Sequence, residues 1–139
     1  MASADLIGSW KLVSLQFEYS DGGERTDMYG ENPQGYLLIA EGGRMMTIIA
    51  ARNRGEVDGE ADEARLFRSM MAYSGSYRTE EPDLFITKPD VAWHPVWLGK
   101  EHARHFRING DALSIVTAET THPMFRDRKG RGVLTWRRE

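Results

Sequence analysis

The chain contains no cysteine. That absence excludes disulfides, thiolate nucleophiles and Cys-ligated zinc together, and it suits a reducing compartment such as the cytoplasm. Long apolar runs are also missing: nothing approaches the roughly 20 residues that a membrane helix needs, so no membrane partner is expected. The opening Met1-Ala2-Ser3-Ala4-Asp5 has neither a basic nor an apolar region of the kind a secretory leader requires, so the expected location is cytoplasmic. There is no excess of positive charge, with 18 Lys and Arg against 21 Asp and Glu and a formal net charge of −3. The densest basic run (Arg126, Arg128, Lys129, Arg131, then Arg137 and Arg138) straddles a glycine-bearing turn and a chain end. A nucleic-acid footprint needs such charges on one face, so nucleic acid is not an expected partner. No G-x-S-x-G elbow, phosphate-cradling glycine loop or internal repeat is present.

What remains reads as one globular domain over 1–139, because a single core typically serves roughly 100–200 residues. Its repeating unit is a short strand followed by a turn. Residues 10–19 (WKLVSLQFEY) end in Asp21-Gly22-Gly23, and 36–40 run into Glu41-Gly42-Gly43 before 44–51 return. Strands over 71–79 and 84–93 flank Glu80-Glu81-Pro82-Asp83. Strands over 102–108 and 113–117 flank Asn109-Gly110-Asp111, the strongest hairpin signal in the chain, and 132–138 close it. The pattern predicts an all-β, antiparallel sandwich or barrel. Residues 60–71 (EADEARLFRSMM) break it, with acids in the first turn and apolar residues at helical spacing, and are expected to form a short amphipathic helix. The polar, glycine-bearing segment 53–59 precedes it as a loop.

Six short motifs in order resemble the bacterial lipocalin-like domain family over nearly the whole chain. Gly8-Ser9-Trp10 resembles the G-x-W opening of lipocalin barrels, and Asn32-Pro33-Gln34-Gly35-Tyr36 with Gly43-Arg44-Met45-Met46 resembles the second hairpin. Tyr73-Ser74-Gly75-Ser76-Tyr77 is similar to a Y-x-G-x-Y strand, and Pro95-Val96-Trp97-Leu98-Gly99 to P-x-W-x-G. Arg104-His105-Phe106 with Gly110-Asp111-Ala112-Leu113, and Leu134-Thr135-Trp136-Arg137, complete the series. The resemblance implies a lipocalin-like barrel of about 8–10 strands with a ligand-sized interior. It also implies that an arginine of the last strand, Arg137, lies over Trp10 at the closed end. Where the family pattern carries a histidine before P-x-W, this chain reads Ile86-Thr87-Lys88-Pro89-Asp90-Val91, so that role is absent or falls to His94.

Strand alternation sorts the candidate site residues. Phe106 and Ile108 share a face with His102 and Arg104, while His105 and Arg107 lie opposite. An inward Arg104 either pairs with an internal carboxylate such as Glu18 or Glu119, or anchors a carboxylate or enolate oxygen of a ligand. His94 and His102 are the candidate catalytic residues, as acid or base, or are merely satisfied histidines. As a pair they make a poor zinc site, so no metal is expected. His122 is expected to be exposed in its loop. Tyr36, Tyr73, Tyr77, Trp93, Trp97 and Phe106 join Arg104 as candidate ligand-binding residues, since aromatic walls with a few polar tips make small-molecule sites as well as ordinary cores. The sequence therefore points to binding of a hydrophobic small molecule without a cofactor, with aromatic or anionic character as the finer expectation. The alternative is a cofactorless lyase, isomerase or cyclase, and a third reading is an interaction protein with a packed barrel. A homodimer is compatible with the composition. The helix and the 53–59 loop are expected to form a lid, with Leu66, Phe67 and Met70 over the interior.

Overall fold

The computed structural model describes residues 2–120 and 128–139; His122 lies outside the described residues. Among the described residues, nine strands follow the short helix α1 (Ala2–Asp5): β1 (Gly8–Tyr19), β2 (Arg25–Asp27), β3 (Gln34–Ile39), β4 (Arg44–Ala50), β5 (Met70–Glu80), β6 (Leu84–Ala92), β7 (His102–Asn109), β8 (Ala112–Thr117) and β9 (Gly130–Arg138). Helix α2 (Glu60–Arg68) separates β4 from β5, and a 3-10 turn (Pro95–Trp97) separates β6 from β7. All pairings are antiparallel between neighbours, and β1 pairs with both β3 and β9. Among the described residues, eight strands thus close a barrel, with β2 added along β1. Closure leaves little open edge, which is how a small all-β domain avoids unpaired backbone groups.

Alternation drives burial. Leu37 and Ile39 of β3, Met45 and Ile49 of β4, and Leu113 and Ile115 of β8 are each at most 3% exposed, while their neighbours in sequence face out. Two irregularities re-aim the pattern. In β1 the register slips between Leu12 and Ser14, so the inward set changes from Trp10 and Leu12 to Leu15 and Phe17, and Val13 is turned out to solvent. Between β5 and β6, Ser74 pairs with Val91 but Gly75 with Pro89, which leaves Asp90 as an extra residue on the outside. There it meets Arg44 at 2.7 Å. Gly75 is required at this point, because a Cβ would run into the Lys88 carbonyl and Pro89.

Residues 5–10 and the end of β9 come together at one end of the barrel. Trp10 is fully buried, and its indole N–H donates to the Leu6 carbonyl at 2.9 Å. The arginine over it is Arg138, with its guanidinium 4.2 Å from the indole. Arg137, which the resemblance nominated, faces out. The reason is parity: Trp136 points inward, so Arg138 must as well, and Arg137 sits on the outer face opposite Lys11. Arg138 also donates to the carbonyls of Ile7 (3.1 Å) and Asp5 (2.5 Å), which ties the last strand to α1.

The helix ends earlier than the periodicity suggests. Ser69 caps α2, its N–H and hydroxyl both directed to the Leu66 carbonyl, and Met70 and Met71 open β5 in strand alternation with Tyr73. The helix lies at the end of the barrel opposite Trp10, as does the 93–101 segment.

Candidate binding site

A cavity of about 510 Å³ occupies the barrel interior. Its walls are largely apolar, with inward positions of five strands contributing Leu15, Leu37, Met45, Ile49, Ile115 and Leu134. Val96, Trp97, Lys100, Glu101 and Glu119 line its margin at the end opposite Trp10. No residue of α2 lines it, contrary to the expected lid. The helix leans instead on the flank of that end, with Phe67 43% exposed and packed against Trp93 and His94, and with no side chain of the helix buried.

Arg104 is the charged group of the interior, 7% exposed. One terminal nitrogen donates to the Thr87 hydroxyl at 2.8 Å and to the His102 carbonyl at 3.3 Å, and the guanidinium carbon lies 5.7 Å from the Tyr73 ring centre. Among the described residues its Nε and other terminal nitrogen have no partner, and no carboxylate forms an ion pair with it. The two acids the sequence offered are engaged elsewhere. Glu18 pairs with Arg25 at 2.9 Å and lies 3.7 Å from Arg131, and Glu119 accepts from the Ser20 hydroxyl. A buried guanidinium with free donors is costly unless something else supplies the anion.

His102 stands beside it, level with Thr87 across the β6–β7 pair. Its Nε2 is buried and has no hydrogen-bond partner among the described residues. Burial foremost, and then the Arg104 charge, hold its pKa below the usual 6.5, against a backbone hydrogen bond to Trp97 that works the other way. The ring lies 4.9 Å from Trp97, which in turn stacks on Tyr73 at 5.2 Å. Tyr73, Trp97, His102 and Arg104 are thus brought together around one stretch of the cavity wall.

The other nominated residues are placed differently. His94 does not line the cavity; its Nδ1 accepts the Val96 N–H at 3.2 Å and so caps the 3-10 turn that carries Trp97. Trp93 donates to the Phe67 carbonyl and links α2 to that turn. Tyr77 is inward but lies toward the closed end, donating to the Ala40 carbonyl at 2.7 Å beneath Phe85. Phe106 belongs to the packed core below Arg104. Tyr36 points out of the barrel, 41% exposed, where the pairings Tyr36–Ile48 and Leu38–Met46 gather four exposed apolar side chains. Its neighbour Gly35 is the inward residue, because a Cβ there would clash with Ile48 and Ile49. Sequence reasoning missed Thr87, fully buried behind Arg104, and Trp136, which is among the residues lining the cavity. Strand alternation with Phe85 was a usable signal for Thr87. Among the described residues no three His, Asp or Glu side chains converge as for a metal, and no helix is long and apolar enough to cross a membrane.

The model of a lipocalin-like domain family matches residues 7–139. The chain belongs to the lipocalin-like domain family. No curated protein matches it. Among solved structures, this lipocalin-like barrel is similar to a redesigned β-barrel (TM-score 0.46, 12% identity, 99% of this chain and 95% of that one). It is also similar to a point mutant of the fluorescent protein UnaG (TM-score 0.39, 16% identity, 99% and 98%). Neither likeness bears on what the lipocalin-like chain binds.

Proposed function

We propose that the protein binds an amphiphilic small molecule inside the barrel, an apolar body with an anionic head. The observation that carries this reading is the buried guanidinium of Arg104, without a carboxylate partner among the described residues, in a largely apolar cavity of about 510 Å³, a size within the range of small-molecule sites. Arg104 would accept the head group with its two free nitrogens, held in place by Thr87, while Tyr73 and Trp97 flank the chain of the ligand. Inside a largely apolar cavity a charge-assisted hydrogen bond is stronger than in water. The cysteine-free composition supports a reducing, cytoplasmic setting. Displacement of a bound hydrophobic dye by decanoate and by decanol tests the reading. Decanoate should compete better by about tenfold to a hundredfold, and Arg104→Met should erase that preference. Equal competition in the unaltered protein would refute it.

A second reading is favoured by one observation, the unpartnered Nε2 of His102 beside Arg104. A neutral imidazole there can take a proton from a carbon next to a bound carbonyl, the electron pair moving onto the oxygen held by Arg104, and return it at another carbon. That sequence is an isomerisation, and its first half, proton abstraction to give an enolate, is the step a cofactorless lyase or cyclase would share. Exchange of such protons on a keto acid in deuterated water, catalysed by the unaltered protein and slowed about 10²–10⁴-fold in His102→Ala, is the result expected; no exchange above the buffer rate would leave only the binder.

A further inference from the structure

Besides Arg104 and His102, which are adjacent, the cavity wall carries one more unsatisfied polar group among the described residues, at a separate level. Trp136 is 3% exposed and lines the cavity, and its Nε1 is buried with no hydrogen-bond partner among the described residues. Buried indole N–H groups ordinarily find an acceptor. The neighbouring Trp10 does so through the Leu6 carbonyl. Trp136 sits across from Leu113, whereas Arg104 sits across from Thr117 on the same strand β8. Those positions are four residues apart, or roughly 13 Å along a strand. Between them the wall is apolar, with Ile115 and Leu134 paired at the intermediate level. The cavity is therefore polar at two separated levels and greasy between them.

We infer that the deep end is a second recognition subsite, at which the Trp136 indole donates to a carbonyl-type acceptor at the far end of the ligand. This rests on the head-group reading above and narrows it. The preferred ligand class is an acid with an apolar spacer and a distal acceptor, such as a keto acid, rather than a plain alkanoate. Trp136 is then a specificity-determining residue. An alkyl terminus leaves its N–H unpaired, whereas an acceptor of the right reach recovers that lost hydrogen bond.

The test compares plain alkanoates with terminal methyl-ketone acids of the same length, at eight, ten and twelve carbons to bracket that span. Titration calorimetry is run on the full chain and on Trp136→Phe and Arg104→Met. The unaltered protein should prefer the ketone acid roughly fivefold to tenfold at one length. Trp136→Phe should lose that preference, binding the two acids of each length equally. Arg104→Met should weaken both acids and keep the preference. A ketone preference that survives in Trp136→Phe, or none in the unaltered protein, overturns the subsite and leaves the head-group reading standing. If neither acid binds, the head-group reading falls and the subsite with it. Should Trp136→Phe not fold, the indole ¹H–¹⁵N resonance of Trp136 in the unaltered protein decides. It should move downfield with the ketone acid and not with the alkanoate, and an unmoved resonance refutes the proposal.

Discussion

Replacing Arg104 by methionine separates a ligand anchor from a structural cation, because the two predict different stabilities of the free protein. The change removes the charge-assisted hydrogen bonds to the Thr87 hydroxyl and, longer, to the His102 carbonyl, the shorter of them worth about 1.5–3 kcal/mol. It also leaves the Thr87 hydroxyl, fully buried, without that donor, at about 1–3 kcal/mol. Against these stands relief from holding a guanidinium away from water without a counter-charge, which costs several kcal/mol per ion. Methionine also keeps most of the apolar stem in place. The opposing contributions are of equal size, so the free energy of unfolding should stay within about 1 kcal/mol of the unaltered value. Urea denaturation at neutral pH measures this, with an unchanged slope showing that the same two states are compared. Decanoate affinity of the same variant should fall at least about tenfold. A stability loss of about 3–5 kcal/mol is the signature of a broken buried ion pair. That result would refute the reasoning, because it would mean that a carboxylate had been left behind.

At the closed end, Arg138→Met should cost about 2–4 kcal/mol, since it removes the contact with Trp10 and two charge-assisted bonds to carbonyls. Arg137→Met should stay within about 0.5 kcal/mol by the same denaturation assay. NMR titration should find His102 protonating below 6.5. Because its folded pKa is depressed, the unfolded chain takes up the proton first, so its contribution to stability is complete above 6.5 and is lost as pH falls below it. His102→Gln should flatten the pH dependence in that window. Hydrogen exchange should find α2 opening more readily than the barrel strands, with or without decanoate, because it buries no side chain and does not line the cavity.

Much of the fold was legible because period-two alternation and glycine turns are local signals. On β7 the clean sequence of apolar and charged residues sorted His102, Arg104 and Phe106 inward correctly. Where both faces are apolar the same rule lost its grip. In Gly35-Tyr36-Leu37-Leu38-Ile39 either parity looks plausible, and the tyrosine proved to be on the outside. The slip in β1 at Val13 is set by pairing with β9, more than a hundred residues away, and no local pattern announces it. Arg137 was preferred to Arg138 on resemblance, although the inward Trp136 two residues earlier already favoured Arg138. The helix boundary failed because Met70 and Met71 fit a helical face and a strand equally well, and Tyr73 decided it by needing the interior. Whether Arg104 has a counter-ion and whether Trp136 has an acceptor are questions about missing partners. Such facts exist only once every neighbour has been placed.

The most direct test of a ligand held in the barrel on Arg104 is an NMR experiment with decanoate and the isotope-labelled chain. Intermolecular contacts should run from the alkyl chain to the methyl groups of Leu15, Met45 and Ile115 inside the cavity, together with a shift of the Arg104 Nε–H resonance on binding. Contacts confined to Leu38, Met46 and Ile48 on the outer face, with the Arg104 resonance unmoved, would contradict it.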